Sequence, residues 1–502
     1  MTIWRMPDWT YHPLRPLASA VLGVRRSQRA ALHGLATLVS LPGGAKAVSA
    51  VFDHPAVPAD LAGRFGASVP VSVARDAIRA LAVQGASMIE IGPVEAADLP
   101  AVRAALAGRR CQVIGRAATA EVAEQLAPLV DRVIVGDPPD LVRLAEPSIA
   151  GALTALADES ATVLATPAVL VEAGPGWFQR VIEARQPTEP APRVRDAGLD
   201  PRRWHAWVWG LIVGLAMTGG GLVAAGITLG PVLLWYDQDF LGMNLSDVDA
   251  VNARLAHFLQ HDRITMAGGM VAIGILYTGL AWGGIRRGWP WARAAYLVSG
   301  LIGFPTLLYF LGTGFVEPLH TALAIVLFPM FLLATWRRPA VARWTVAPEG
   351  PEPERRRALV GQLLLIVTGV GLFAGGATVS IVGLTGVFVD TDLVFLGTDP
   401  AFLDAANPHL APFIAHDRAG FGGLLMATAA AIVLLSLWGW RRGEAWVWWT
   451  LAGAATAGFA PALIIHKGIG YTSFEHLFPV YLGVAFSVTA LALSNAYLRA
   501  AR

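Results

Sequence analysis

Cysteine is all but missing. Cys111 is the only one in 502 residues, so no intrachain disulfide forms and a cysteine-based zinc motif is excluded. Cysteine usage therefore leaves the redox compartment open. Charged residues make up only 15% of the chain and sum to +2, and the arginines sit at the ends of apolar runs instead of forming a basic stripe. That pattern argues against nucleic acid as a partner. The opening Met1-Thr2-Ile3-Trp4-Arg5-Met6-Pro7-Asp8 lacks the apolar core of a signal peptide, so this end is expected to stay in the cytoplasm. No H-E-x-x-H motif, nucleophile elbow, kinase signature or Gly-rich phosphate loop occurs. Asparagine is absent before Asn244, and the N-terminal part contains no lysine after Lys46.

What the chain does have is apolar residues, 55% of the total, with a mean hydropathy of +0.54. That is too apolar for an ordinary soluble protein of this size. The excess lies after about residue 205. Apolar runs at about 207–235, 264–284, 292–313, 319–336, 359–388, 419–440, 445–465 and 475–497 approach or exceed the ~20 residues that a helix needs to cross a bilayer. Eight transmembrane helices are expected.

The second and sixth runs are headed by the same triplet, His261-Asp262-Arg263 and His416-Asp417-Arg418, 155 residues apart. The same offset carries Asp237 to Asp392, Phe240-Leu241-Gly242 to Phe395-Leu396-Gly397, Asn252 to Asn407, Phe258 to Phe413 and Arg286-Arg287-Gly288 to Arg441-Arg442-Gly443. One inserted residue later, it carries His320 to His476. So many agreements at one offset imply an internal duplication. The chain then divides into an N-terminal domain (1–195), a linker (196–206), a four-helix repeat (207–345), a second linker (346–358) and a second four-helix repeat (359–502). A four-span unit returns to its starting side, so the two units would share an orientation and be related by an axis along the membrane normal.

Orientation follows from charge. Arg202-Arg203, Arg286-Arg287, Arg337-Arg338, Arg355-Arg356-Arg357, Arg441-Arg442 and Arg499 fall on one side of the alternating path, which the positive-inside rule makes cytoplasmic. The membrane-region histidines, with Asp237, Asp262, Asp392, Asp417, Glu317 and Glu475, fall on the other. Tryptophans at the run ends (Trp4, Trp9, Trp204, Trp207, Trp289, Trp291, Trp438, Trp440, Trp446, Trp448, Trp449) read as interfacial anchors. Gly210, Gly214, Gly219-Gly220-Gly221, Gly369, Gly371, Gly375 and Gly376 mark the first helix of each unit as the expected central contact between the units.

Residues 1–195 alternate short β-branched runs (Val69–Val73, Met88–Ile91, Cys111–Ile114, Arg132–Val135, Thr162–Ala165) with helical segments such as Leu99–Leu106 and 118–129. Strand and helix in succession mean an α/β domain. Five strands are fewer than the eight of a closed TIM barrel.

Tyr11-His12-Pro13-Leu14-Arg15-Pro16-Leu17 with its following helix, Met88-Ile89-Glu90-Ile91-Gly92-Pro93-Val94, and Gly174-Pro175-Gly176-Trp177-Phe178 resemble the membrane-associated, quinone-dependent dihydroorotate dehydrogenase family over about 170 residues. The resemblance implies a barrel that holds FMN, with Gly174 and Gly176 near the flavin phosphate, and opening helices that rest on the membrane and lead quinone to the flavin. A flavin and orotate site of that type uses a lysine and several asparagines, whereas this domain has no asparagine and no lysine after Lys46. It is read as a degenerate, incomplete TIM-barrel-like domain without the dehydrogenase activity. A membrane-bound oxidoreductase of that type is the competing reading.

At the heads of the second and sixth helices, Asp262 and Asp417 are placed to cap unpaired backbone N–H groups, and Arg263 and Arg418 to pair with Asp237 and Asp392. A functional reading adds His320 and His476 to His261 and His416 as ligands of a transition metal, or of a haem in a membrane electron carrier. A third leaves the arginines to bind an anionic or lipid-like envelope ligand. His257, His409 and His466 read as loop residues. The expected protein is thus a multi-pass protein of the cytoplasmic membrane with a polar site facing outward, in contact with lipid, a quinone or an envelope ligand, and able to form a homo-oligomer.

Overall fold

The computed structural model describes residues 8–52, 61, 63–109, 111–185, 190–336 and 350–500. Trp4, Arg337, Arg338 and the first four residues of the expected second linker (346–349) lie outside them. The protein is an α/β domain joined to a helical domain of eight long apolar helices.

Six strands, β1 (Phe65–Val69), β2 (Met88–Val94), β3 (Gln112–Ala117), β4 (Arg132–Val135), β5 (Leu141–Leu144) and β6 (Thr162–Ala165), form one parallel sheet in the order β4-β3-β2-β1-β6-β5. One strand more is present than the sequence pattern suggests. In β5, Leu-Val-Arg-Leu is only four residues long and puts Arg143 on one face, so it carries little apolar signal. The expected strand at Val69–Val73 is displaced: pairing ends at Val69, Pro70 donates no hydrogen bond, and Val71–Val73 form a 3₁₀ turn. The sheet curls into half a barrel. Glu90 on β2 and Arg143 on β5 are separated by two intervening strands, about 14 Å in a flat sheet, yet their side chains meet at 2.8 Å. Arg116 on β3 reaches the same carboxylate. Residues on one face of the strands (Met88, Ile114, Ile134, Leu141, Leu164) line the hollow, while Ile89, Ile91, Val113 and Val163 pack under the surrounding helices.

The eight helices cover Ala206–Leu229, Leu255–Arg287, Pro290–Thr313, Pro318–Trp336, Glu352–Leu384, Leu410–Gly439, Ala445–Ile469 and Phe474–Leu498. They are here called the first to eighth spans. Each is long and apolar enough to cross a bilayer, so the chain is a multi-pass membrane protein. The second, fifth and sixth start earlier than the hydropathy suggests, because polar first turns continue into apolar helix. The second linker is shorter for the same reason: helix begins at Glu352.

The span-one glycines do not form the central contact. A Cβ on Gly214 would meet the Gly274 carbonyl at 3.0 Å, and one on Gly221 the Ala267 carbonyl at 2.8 Å, both on the second span. Gly376 stands in the same relation to Gly422 of the sixth. These glycines let the first and fifth spans press on their sequence neighbours. The first four and last four spans meet instead where Gly268 of the second lies against Ala457 of the seventh (Cβ to carbonyl 2.7 Å) and Ser299 of the third donates to the Ala427 carbonyl of the sixth (2.8 Å).

Several tryptophans expected at the interface are core residues. Trp207, Trp289, Trp291, Trp438 and Trp440 are buried, with Trp291 stacked on Trp446 at 6.1 Å, whereas Trp449 is exposed. The α/β domain docks at this arginine-bearing end. Glu183 takes both Nε and Nη2 of Arg441 (2.9 and 2.8 Å), Asp8 takes Arg355 (2.8 Å) and Glu352 takes Arg180 (3.2 Å).

Candidate functional site

At the opposite end, short helices after the first span (Trp235–Leu241, Leu245–Val251) and after the fifth (Asp390–Leu396, Pro400–Ala406) close over the second and sixth spans. Their contacts are crossed. Asn252 Nδ2 donates to the Leu396 carbonyl at 2.9 Å, and Asn407 Nδ2 to that of Leu241 at 2.7 Å.

Beneath them lies a charged layer. Asp262 and Asp417 are not helix caps, because their helices begin at Leu255 and Leu410, two turns earlier. The expected pairs Arg263–Asp237 and Arg418–Asp392 are present, at 3.0 and 2.5 Å. Each arginine also pairs across the layer, Arg263 with Asp417 at 2.9 Å and Arg418 with Asp262 at 3.3 Å. The guanidiniums lie over Phe413 and Phe258, at 4.8 and 4.9 Å from the ring centres. Each further donates to a strained carbonyl: Val232 and Val387 both have φ +63°, and both carbonyls accept an arginine Nη1 at 2.8 Å. A valine there costs on the order of 1–3 kcal/mol, offset by charge-assisted bonds. Both arginines are thus fully engaged with carboxylates, a ring and a carbonyl of the protein itself.

The two aspartates of the closing helices differ. Burial pushes Asp237 above the usual carboxylate range against the pull of Arg263. At Asp392 burial acts the same way but is outweighed by bonds from Arg418, the Val389 N–H and the Tyr471 hydroxyl, and its carboxyl is held below that range.

The histidines divide into two groups. His261, His466 and His476 have one nitrogen each within 4.8 Å of the others. His466, expected in a loop, is in the seventh span and buried; its lack of a counterpart 156 residues earlier hid it. His257 is likewise helical. His320 and His416 instead face one another, ring centres 6.3 Å apart. His261 therefore meets His476 and His416 meets His320, so the four histidines expected to act together form two separate places.

In the first group the outward nitrogens are fixed by acceptors. His261 Nδ1 donates to the Phe258 carbonyl (2.9 Å) and His466 Nδ1 to that of Ala462 (2.6 Å), while His476 Nδ1 lies 3.1 Å from the Tyr471 hydroxyl, itself bonded to Asp392. Neutral imidazoles held this way carry their lone pairs on Nε2. Those of His466 and His476 point at each other across 3.0 Å. Two lone pairs at that distance repel unless a proton or cation lies between them. Tetrahedral zinc with bonds of about 2.0–2.1 Å wants its nitrogens roughly 3.4 Å apart, so small shifts seat an ion. A haem between this pair would need about 4 Å, two iron–nitrogen bonds of similar length, beside an imidazole of His261 that stands edge-on to His466 with ring centres 4.6 Å apart.

Gly174 and Gly176 lie at the domain interface. The Gly176 N–H donates to Asp8 Oδ1 at 2.9 Å, and a Cβ on Gly174 would meet the same oxygen at 2.5 Å. With a carboxylate already bonded to this glycine turn, the residues present do not fit the phosphate of an FMN there. Comparison with protein-family models, with curated proteins and with solved structures gives no match.

Proposed function

We propose that this protein of the cytoplasmic membrane, built on a duplicated four-span unit, binds a transition-metal ion through His261, His466 and His476 near the outer membrane border. The observation that carries the reading is the 3.0 Å approach of two Nε2 atoms whose rings are oriented by bonds at Nδ1, the second-sphere arrangement of metal-bound histidine. Three imidazoles suit zinc, copper or iron over magnesium or calcium. Three nitrogens leave a fourth tetrahedral position for water or a substrate oxygen. The duplication is supported by crossed contacts that repeat at the 155-residue offset, Asn252 to the Leu396 carbonyl and Asn407 to that of Leu241. The arginines at the docking end support a cytoplasmic α/β domain, read as a degenerate relative of the dihydroorotate dehydrogenases that serves as a docking module. Its lack of asparagine and of any lysine after Lys46, and Asp8 in the glycine turn, support inactivity.

The test is elemental analysis of detergent-purified full-length protein after loading with zinc or copper and dialysis. About one ion per chain is expected, lost in His466→Ala and His476→Ala and retained in His257→Ala. Full retention in both trio variants would remove the reading.

A further inference from the structure

A second site lies on the other histidine pair and does not depend on the metal. Between the first, second, third, fourth and sixth spans is a cavity of about 120 Å³. His320 and His416 stand at one end, and Met217, Met266, Met270 and Phe304 line its apolar walls. None of the metal trio borders it. An engineered apolar cavity of about 150 Å³ holds one benzene molecule, so this one has the size of a single ring. Thioethers make favourable contacts with aromatic rings, and three of the nine methionines of the chain point to the same space. The polar end is built to accept a hydrogen bond. His416 Nδ1 donates to the Phe315 carbonyl at 3.0 Å, and His320 Nδ1 lies 2.9 Å from Glu317 Oε2, a buried carboxylate that also takes the Tyr236 hydroxyl. His416 thus carries its acceptor on Nε2, and His320 stands beside it with its Nδ1 against that carboxylate. We infer that this cavity binds a lipid-soluble aromatic molecule through a ring hydroxyl, as in an alkylated hydroquinone or phenol, with the hydroxyl donating to His416 and the ring among the methionines.

The experiment compares an alkylated hydroquinone with its dimethyl ether, which has the same ring but no donor, titrated into the full-length protein in detergent. The hydroquinone is expected to bind at least tenfold more tightly. His416→Leu should bring the two affinities together, and Ala324→Phe, which fills the cavity from its wall, should abolish binding of both. Metal content, measured on the same Ala324→Phe sample, should not change, which separates this site from the trio. Equal binding of the two probes by the unaltered protein, or hydroquinone binding that survives Ala324→Phe, would overturn the inference.

Discussion

Arg263 of the second span donates its Nε to Asp417 of the sixth at 2.9 Å while its Nη1 holds Asp237 at 3.0 Å. One guanidinium thereby ties a closing helix to its own span and that span to the other set of four. Arg418 does the same in reverse with Asp392 and Asp262. Four carboxylates and two guanidiniums in one low-dielectric layer stabilise only as a set, since an unpaired charge there has no water to turn to.

Arg263→Ala is therefore expected to destabilise strongly, by about 3–5 kcal/mol, the usual cost of orphaning one side of a buried pair. Arg263→Lys should recover little, because an ammonium cannot serve both carboxylates and the Val232 carbonyl in the planar geometry of the fork. Thermal unfolding in detergent, with Asp417→Asn and the double variant completing a cycle, measures the coupling. A coupling near zero would mean that the crossed pair is idle.

Much of this was legible in the sequence. Eight apolar runs located the spans, and the Arg263–Asp237 and Arg418–Asp392 pairs followed from the matched offsets. The crossed pairing was not legible, because an offset says which residues are alike and not which copy each one touches. His466 escaped for the complementary reason: it has no like residue in the first set of spans and looked incidental until the fold set its ring against His476. β5 was hidden by Arg143, which faces Glu90 inside the curl of the sheet, so that its strand looked polar. The tryptophans misled because span-end position alone does not distinguish a lipid-facing ring from one packed between helices.

The trio makes a prediction about acid. Metal and proton compete for the same Nε2 lone pairs, so bound zinc should be released as the pH is lowered and taken up again on neutralisation. Tyr471→Phe, which removes the hydroxyl that orients His476 through Asp392, should weaken affinity by about 10–100-fold, as loss of an outer-sphere partner usually does. Competition with a coloured chelator reads both effects. An unchanged affinity in Tyr471→Phe would mean that the hydroxyl does not orient the ligand.

Gly268 sets how closely the two sets of spans approach. A side chain there meets the Ala457 carbonyl at 2.7 Å and Pro461 Cγ at 3.2 Å, and backbone cannot step aside as a flexible side chain can. Gly268→Leu should cost at least the roughly 1–3 kcal/mol of an overpacked core. Gly219→Ala, whose Cβ meets nothing within 4 Å, should leave the melting temperature the same or slightly higher. Equal effects would place the close crossing elsewhere.

The docking of the α/β domain should depend on pH through His12. Its imidazole lies among Asp8, Arg355, Glu352 and the Ala173 carbonyl, and burial holds it below its ordinary 6.5, with Arg355 adding to the effect and Asp8 opposing it. An undocked chain would take up a proton near 6.5 that the docked one refuses. Docking is thus unaffected by this group above that pH, and weakens progressively as the pH falls below it towards the depressed value. Limited proteolysis of the segment at 190–205 reports undocking, and cleavage should quicken as the pH is lowered from 7 towards 5. In His12→Phe this part of the pH dependence should disappear. Arg355→Ala should instead quicken cleavage at every pH, because it strands the Asp8 carboxylate, buried and charged, beside Gly176. A pH profile of His12→Phe identical to that of the unaltered protein would assign the acid sensitivity to another group.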